Sequence, residues 1–187
     1  MALPLVVGMS GATGVVYAVE LLRALWRLGQ PVHLVVSEMA ARTLVIETDM
    51  ALEEVRALAE VVHSNKDLAA AVASGSFRSR GMVVVPCSVK TLSGIANGFS
   101  QNLLIRAADV TLKERRPLVL VFRETPLHTG HLRLMLQAAE IGAVILPPMP
   151  AFYHRPQTLD DIVQQTVSRI LDHVGIEHDL SVRWSGP

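Results

Sequence analysis

Five short apolar runs set the terms for this chain: Leu3–Val7, Pro31–Val36, Met82–Val85, Leu118–Phe122 and Ala143–Leu146. Each is too short for a buried helix and nearly continuous in its apolar character, as strands covered on both faces are. Val61 and Val62 predict a further, shorter edge strand. The stretches between them carry helical spacing. Val15, Val19, Leu22 and Trp26 share one face, with Gly29 as the stop. Strands alternating with helices imply an open, mostly parallel α/β sheet with helices on both faces.

The other helices are predicted over Met39–Ile46, Leu52–Ala59, the alanine-rich Asp67–Ala73, Thr91–Ala96, Leu103–Arg115 and His131–Ala139, the last stretch being opened by Thr125 and Pro126. A final helix runs to about His173, with Thr158 and Asp161 spaced as a capping pair. Glu177–Pro187 has no periodicity and reads as a C-terminal tail. With 187 residues, no internal repeat and no low-complexity segment, one domain spanning 1–187 is expected.

Composition narrows the function classes. Lys plus Arg balance Asp plus Glu, 17 against 17, so there is no global basic field for nucleic acid or an anionic membrane. No apolar stretch reaches the ~18 residues of a membrane span. The start, Met-Ala-Leu-Pro-Leu-Val-Val-Gly, lacks a basic leader and reads as a first strand, so a cytoplasmic protein is expected. The single cysteine, Cys87, excludes an internal disulfide and a thiolate metal site. Only 18% of residues are charged, against about 25% in ordinary domains, which predicts surface hidden in a homo-oligomer.

In open parallel sheets, ligands sit beyond the carboxyl ends of the strands. Those ends carry Ser10–Thr13, Ser37, Ser88–Thr91, Arg123 with Glu124, and the Pro147–Pro156 loop. Hydroxyls and backbone N–H groups dominate, with one arginine. That set suits a phosphate and a flat polar ring better than a metal, and no metal is expected; His128 and His131 alone have ligand-like spacing. The turn Gly8-Met-Ser-Gly-Ala-Thr-Gly14 lets backbone approach a ligand and opens a helix whose N-terminal N–H groups suit a phosphate. It is neither G-x-G-x-x-G nor a Walker loop, which disfavours a dinucleotide or ATP site. For Arg123 and Glu124 two readings stand: an ion pair closing the turn, or two walls of a pocket. Lys113 and Arg169 read first as solvated helix residues, Glu47 first as a plain helix-end carboxylate though it could be a general base, and Tyr153 as a plug or a lid.

Gly8–Gly14, Val85-Pro-Cys-Ser-Val-Lys-Thr-Leu-Ser-Gly94, Asn102–Leu127 and Pro150-Ala-Phe-Tyr-His-Arg-Pro156 closely resemble the flavin prenyltransferases of the UbiX type, nearly end to end. The resemblance implies a single-domain, three-layer Rossmann-like/flavodoxin-like open sheet. It implies an enzyme that joins a dimethylallyl group from dimethylallyl phosphate to N5 and C6 of reduced FMN, without a metal, making prenylated FMN for a partner UbiD-type decarboxylase. Carried onto this chain, it places FMN on Gly11, Ala12, Thr13, Ser37, Ser88, Val89, Lys90, Thr91 and Arg123. It places the donor's phosphate on Lys113, Tyr153 and Arg169, and makes Glu124 and Glu47 the acid–base candidates. It also implies a dodecamer, with part of the site completed by a neighbouring subunit, for which Tyr153, Arg169 and the tail are the candidates. Thr13 stands where many members carry Ser, and Glu38 falls at a variable position. The alternatives are an FMN-dependent cysteine decarboxylase, whose Pro-x-Met-Asn signature is replaced here by Arg123-Glu-Thr-Pro, and a non-catalytic FMN-binding protein.

Overall fold

The apolar runs pair as parallel strands. The computed structural model describes residues 2–181, Arg183 and Gly186; Val182, Trp184, Ser185 and Pro187 of the expected tail, and Met1, lie outside the described residues. The strands are β1 (Leu5–Met9), β2 (Val32–Val36), β3 (Val61–Ser64), β4 (Gly81–Cys87), β5 (Leu118–Phe122) and β6 (Val144–Ile145). They form one six-stranded sheet in the order β3-β2-β1-β4-β5-β6, every pairing parallel. The Rossmann-like/flavodoxin-like expectation holds, and the order reverses between β1 and β4, where such sheets open a ligand crevice.

The helices are α1 (Val15–Arg27), α2 (Glu38–Glu47), α3 (Leu52–Arg56), α4 (Val89–Ala96), α5 (Leu103–Lys113), α6 (Thr129–Glu140) and α7 (Leu159–His173). Alternate strand residues feed two cores. Leu5, Val7, Val83, Val85, Val119 and Val121 meet α1 and α7 on one face; Val6, Met82, Val84, Leu118 and Leu120 meet α4 and α5 on the other. None of the helices among the described residues is long and apolar enough to cross a membrane.

Several boundaries differ from those predicted, each for a physical reason. Asp67–Ala73 is no α-helix; only Ala71–Ala73 forms a single 3-10 turn. Asp67 Oδ1 accepts the Ala69 N–H, and Arg106 and Arg116 take the carbonyls of Ala73, Gly75 and Phe77. These bonds outweigh alanine's helix propensity over so short a stretch. Thr125 and Pro126 do not open α6; it starts at Thr129, capped by His128, whose Nδ1 accepts the Gly130 and His131 N–H groups. The His128 and His131 rings stack 3.6 Å apart. α3 stops at Arg56 rather than Ala59. β4 runs two residues past Val85, through Pro86 to Cys87, with a register shift against β5 where proline cannot donate to the ladder. Gly8 belongs to β1: a Cβ there would lie 3.0 Å from Leu104 Cγ, so the glycine lets α5 approach the sheet.

Candidate active site

The carboxyl ends of β1 and β4 are stitched together by a strand-end residue to which the family resemblance gave no role. Ser10, buried at the switch point, donates from Oγ to the Pro86 carbonyl (2.8 Å) and accepts the Ser88 N–H (2.8 Å). Ser88 then caps α4, its Oγ accepting the Thr91 N–H, and donates to Thr91 Oγ1 (3.1 Å). The N–H groups of Val89 and Lys90 are left without an acceptor among the described residues. This helix end opens into a cavity of about 470 Å³, lined by Gly11, Ser37, Ser88–Thr91 and Glu124 among others. Its size falls within the range of small-molecule sites. A positive helix N-terminus, hydroxyls and Lys90 make its floor an anion cradle.

The first turn of α1 is not such a cradle. Gly14, at φ 95°, has no side chain to cap the helix. Glu47, at the end of α2, supplies the missing group: its Oε2 accepts the Gly14 N–H (2.8 Å) and the Val15 N–H (3.1 Å). A carboxylate of the protein thus takes two of the N–H groups that the sequence offers to a phosphate at this end. Glu47 lines neither cavity described here. Glu47→Ala is expected to cost about 1 kcal/mol of stability, the usual size of a lost N-terminal cap, read from the denaturation midpoint.

The remaining glycine-turn residues divide between walls. Gly11 is packed so closely on α2 that a Cβ would lie 2.3 Å from Met39 Cβ. Ala12 donates its N–H to the Ser10 carbonyl (2.9 Å). Thr13 faces a second cavity, of about 530 Å³, with Gly14, Tyr17, Arg123, Glu124 and Pro147–Met149. Glu124 lines both cavities, so the two adjoin at this residue. Arg123 and Glu124 do share a cavity, and they form no ion pair with each other. Glu124 Oε1 instead accepts the Thr125 N–H (3.0 Å), and the Arg123 guanidinium makes no hydrogen bond or ion pair among the described residues. Burial pushes the Tyr17 phenol upward and the nearby Arg123 charge pulls it back. Tyr17 had a signal in the sequence, an aromatic one turn into the helix after the glycine turn. Asn65 and Asn102 also line the first cavity; both cap α5. Cys87 is fully buried, which pushes its thiol far up and leaves it inert.

Arg169 lines a smaller hollow that shares Pro147 and Met149 with the Arg123 cavity. Tyr153 lies on the adjoining loop, about half exposed at 48%, its ring edge-on to His154. Lys113 is elsewhere. α5 begins beside Asn65, past the end of β3, and runs back across the sheet, so that Pro117 just beyond it bonds Met82 at the start of β4. Lys113 therefore sits at the amino edge of the strands, paired with Glu114. Within one protomer it is not brought to the cavities.

A protein-family model described as Flavoprotein matches residues 2–171. The chain is 60% identical over 185 residues to the flavin prenyltransferase UbiX of Escherichia coli K12, covering 97% of this chain and 98% of that protein. The chain belongs to the UbiX-type flavin prenyltransferases. The UbiX flavin prenyltransferase of Thauera aromatica is 58% identical over 97% of this chain and 94% of its own. Among solved structures, AnUbiX (PadA1) in complex with FMN and dimethylallyl pyrophosphate superposes with a TM-score of 0.98 at 50% identity, over 100% of this chain and 99% of that one. A dodecameric FMN-dependent UbiX-like decarboxylase from Escherichia coli O157:H7 gives 0.95 at 50% identity, over 98% and 100%. The FMN-dependent cysteine decarboxylase TvaF, at 16% identity, over 89% and 98%, and a TM-score of 0.63, shares the fold alone. The cysteine-decarboxylase alternative is accordingly not favoured for this UbiX-type chain.

Proposed function

We propose that this chain joins the dimethylallyl group of dimethylallyl monophosphate to N5 and C6 of reduced FMN, releasing phosphate and giving prenylated FMN for a UbiD-type decarboxylase. The observation that carries this reading is the meeting of two cavities at Glu124, one floored by an open helix N-terminus, the other walled by Arg123 and Tyr17. The first fits FMN. The free Val89 and Lys90 N–H groups with Ser88 and Thr91 would take its phosphate, while Gly11 and Ser37 border the same cavity and Thr13 the adjoining one, on either side of Ala12 in the glycine turn. Reduced FMN, when bound, supplies the electron-rich ring atoms that accept the allyl group.

The protein's part is to stabilise a leaving phosphate and to move protons. Arg123 provides a cation, unpaired among the described residues, for charge growing on the phosphate. Glu124, at the junction, is placed to carry a proton on that phosphate. Arg169 and Tyr153 approach from α7 and its preceding loop as further phosphate ligands. Lys113 joins only from a neighbouring copy, because its own helix delivers it to the far edge of the sheet. A dodecamer would supply such a neighbour, and exposed Met149, Phe152 and Leu159 near the site suit burial in one. Glu47 acts in this reading by holding the glycine turn. We place the enzyme in the cytoplasm, where its flavin and donor are small soluble phosphates.

Two measurements test this. FMN should bind at least tenfold more tightly than riboflavin, since charge-assisted hydrogen bonds from the α4 end are each worth about 1.5 kcal/mol or more. Equal affinities would remove the phosphate from α4. Under anaerobic conditions, phosphate release from dimethylallyl monophosphate should require reduced FMN and match it in stoichiometry. A non-catalytic flavin carrier would release none.

A further inference from the structure

We infer that Asp172, held by His178 and Arg183 of the C-terminal segment, is a positioning residue that aims the Arg169 guanidinium at the donor's phosphate. This rests on the reading of Arg169 as a phosphate ligand. Arg169 and Asp172 are three residues apart on α7, and Arg169 reaches Asp172 Oδ2 at 3.2 Å. The opposite carboxylate oxygen, Oδ1, accepts Arg183 at 2.7 Å and lies 3.2 Å from His178 Nε2. His178 Nδ1 accepts the Leu180 N–H (3.3 Å), so the hydrogen of the neutral ring sits on Nε2 and is donated to Asp172. The His178 side chain is 1% exposed, a rigid support. Ser181 adds a hydrogen bond to Ser168 (2.6 Å), and Leu180 packs on the core. The chain beyond α7 is thus docked against the helix that carries Arg169.

The charge count explains why the segment matters to Arg169. Asp172 is one negative charge facing two guanidiniums. Its contact with Arg183 is shorter than that with Arg169. Arg169 is oriented by a single bond, yet its positive charge is not cancelled, and its other donors remain for the hollow beside Pro147 and Met149. With the segment gone, the whole carboxylate charge would fall on Arg169 and compete with the phosphate. Burial pushes the Asp172 carboxyl up, but the hydrogen bonds and charges of Arg183 and His178 outweigh it and hold the carboxyl below its usual range. It therefore stays ionised at neutral pH, as an anchor for a guanidinium must.

The test is a double-mutant cycle on the assembled enzyme with dimethylallyl monophosphate as donor. Asp172→Asn is expected to raise the donor KM about two- to fivefold, the span of an exposed ion pair, with kcat changing less and the Kd for FMN unmoved. Inorganic phosphate should lose inhibitory strength by the same factor. In an Arg169→Ala background, Asp172→Asn should have no further effect on either. Arg183→Gln, a change at an exposed side chain, should raise the donor KM in the same direction and serves the same cycle if the Asn variant does not fold. An effect that persists without Arg169, or a donor KM that none of these changes moves, overturns the inference. If Arg169→Ala itself leaves the donor KM unchanged, the reading of Arg169 fails first, and the role of Asp172 with it.

Discussion

Glu124→Gln is expected to leave FMN bound with near-normal affinity and to slow transfer by about 10²- to 10⁴-fold, the usual contribution of a positioned acid or base. The amide matches the carboxylate in shape and can still accept the Thr125 N–H that fixes its rotamer. The cavity walls therefore stay in place. What is lost is the ability to carry a proton where the two cavities meet. Single-turnover rates with saturating donor, set beside flavin titrations, separate the two effects. Unchanged turnover would remove Glu124 from the mechanism.

The neighbouring residue should fail differently. Arg123→Met is expected to cut kcat/KM for the donor by about 10²- to 10³-fold, as loss of one group aimed at developing negative charge does. Unlike the Glu124 variant, it should also weaken donor binding, because a cation attracts the phosphate before as well as during bond cleavage. An internal check is independent of catalysis. The Arg123 charge now holds Tyr17 back against the upward push of burial, so Tyr17 should ionise at still higher pH in the variant, followed by phenolate absorbance. A variant that binds donor normally would show that Arg123 serves the turn and not the phosphate.

These two residues also show what was legible in the sequence. The apolar run Leu118–Phe122 located the strand, and the rule that ligands sit beyond strand ends located Arg123 and Glu124. That logic found Ser37, Ser88 and Thr91 as well. It could not decide between an ion pair and a pocket, because neighbouring residues on a strand face opposite ways until the chain turns. Nor could it see long-range capping. Glu47 reaches 33 residues back to Gly14, a pairing that depends on how α2 packs on α1. His128 as a helix cap escaped notice because histidine is not among the usual capping residues. The alanine-rich Asp67–Ala73 stretch misled because two arginines elsewhere claim its carbonyls and those that follow. The resemblance brought in Lys113, yet only the direction of α5 shows that it lies at the far edge of the sheet from the cavities of its own protomer. The candidates for completing a neighbouring subunit's site are Tyr153, Arg169 and the tail, and the described part of the tail packs against the helix that carries Arg169, so these two would move as one unit.

The central claim is that the cavity at the β1–β4 switch point transfers a five-carbon group onto reduced FMN. The most direct measurement is the mass of the flavin released after anaerobic incubation of the protein with reduced FMN and dimethylallyl monophosphate. FMN heavier by one dimethylallyl unit is the expected product, formed by the wild-type protein and scarcely by Glu124→Gln. Flavin recovered at the mass of unmodified FMN, from protein shown to have bound both ligands, would contradict it.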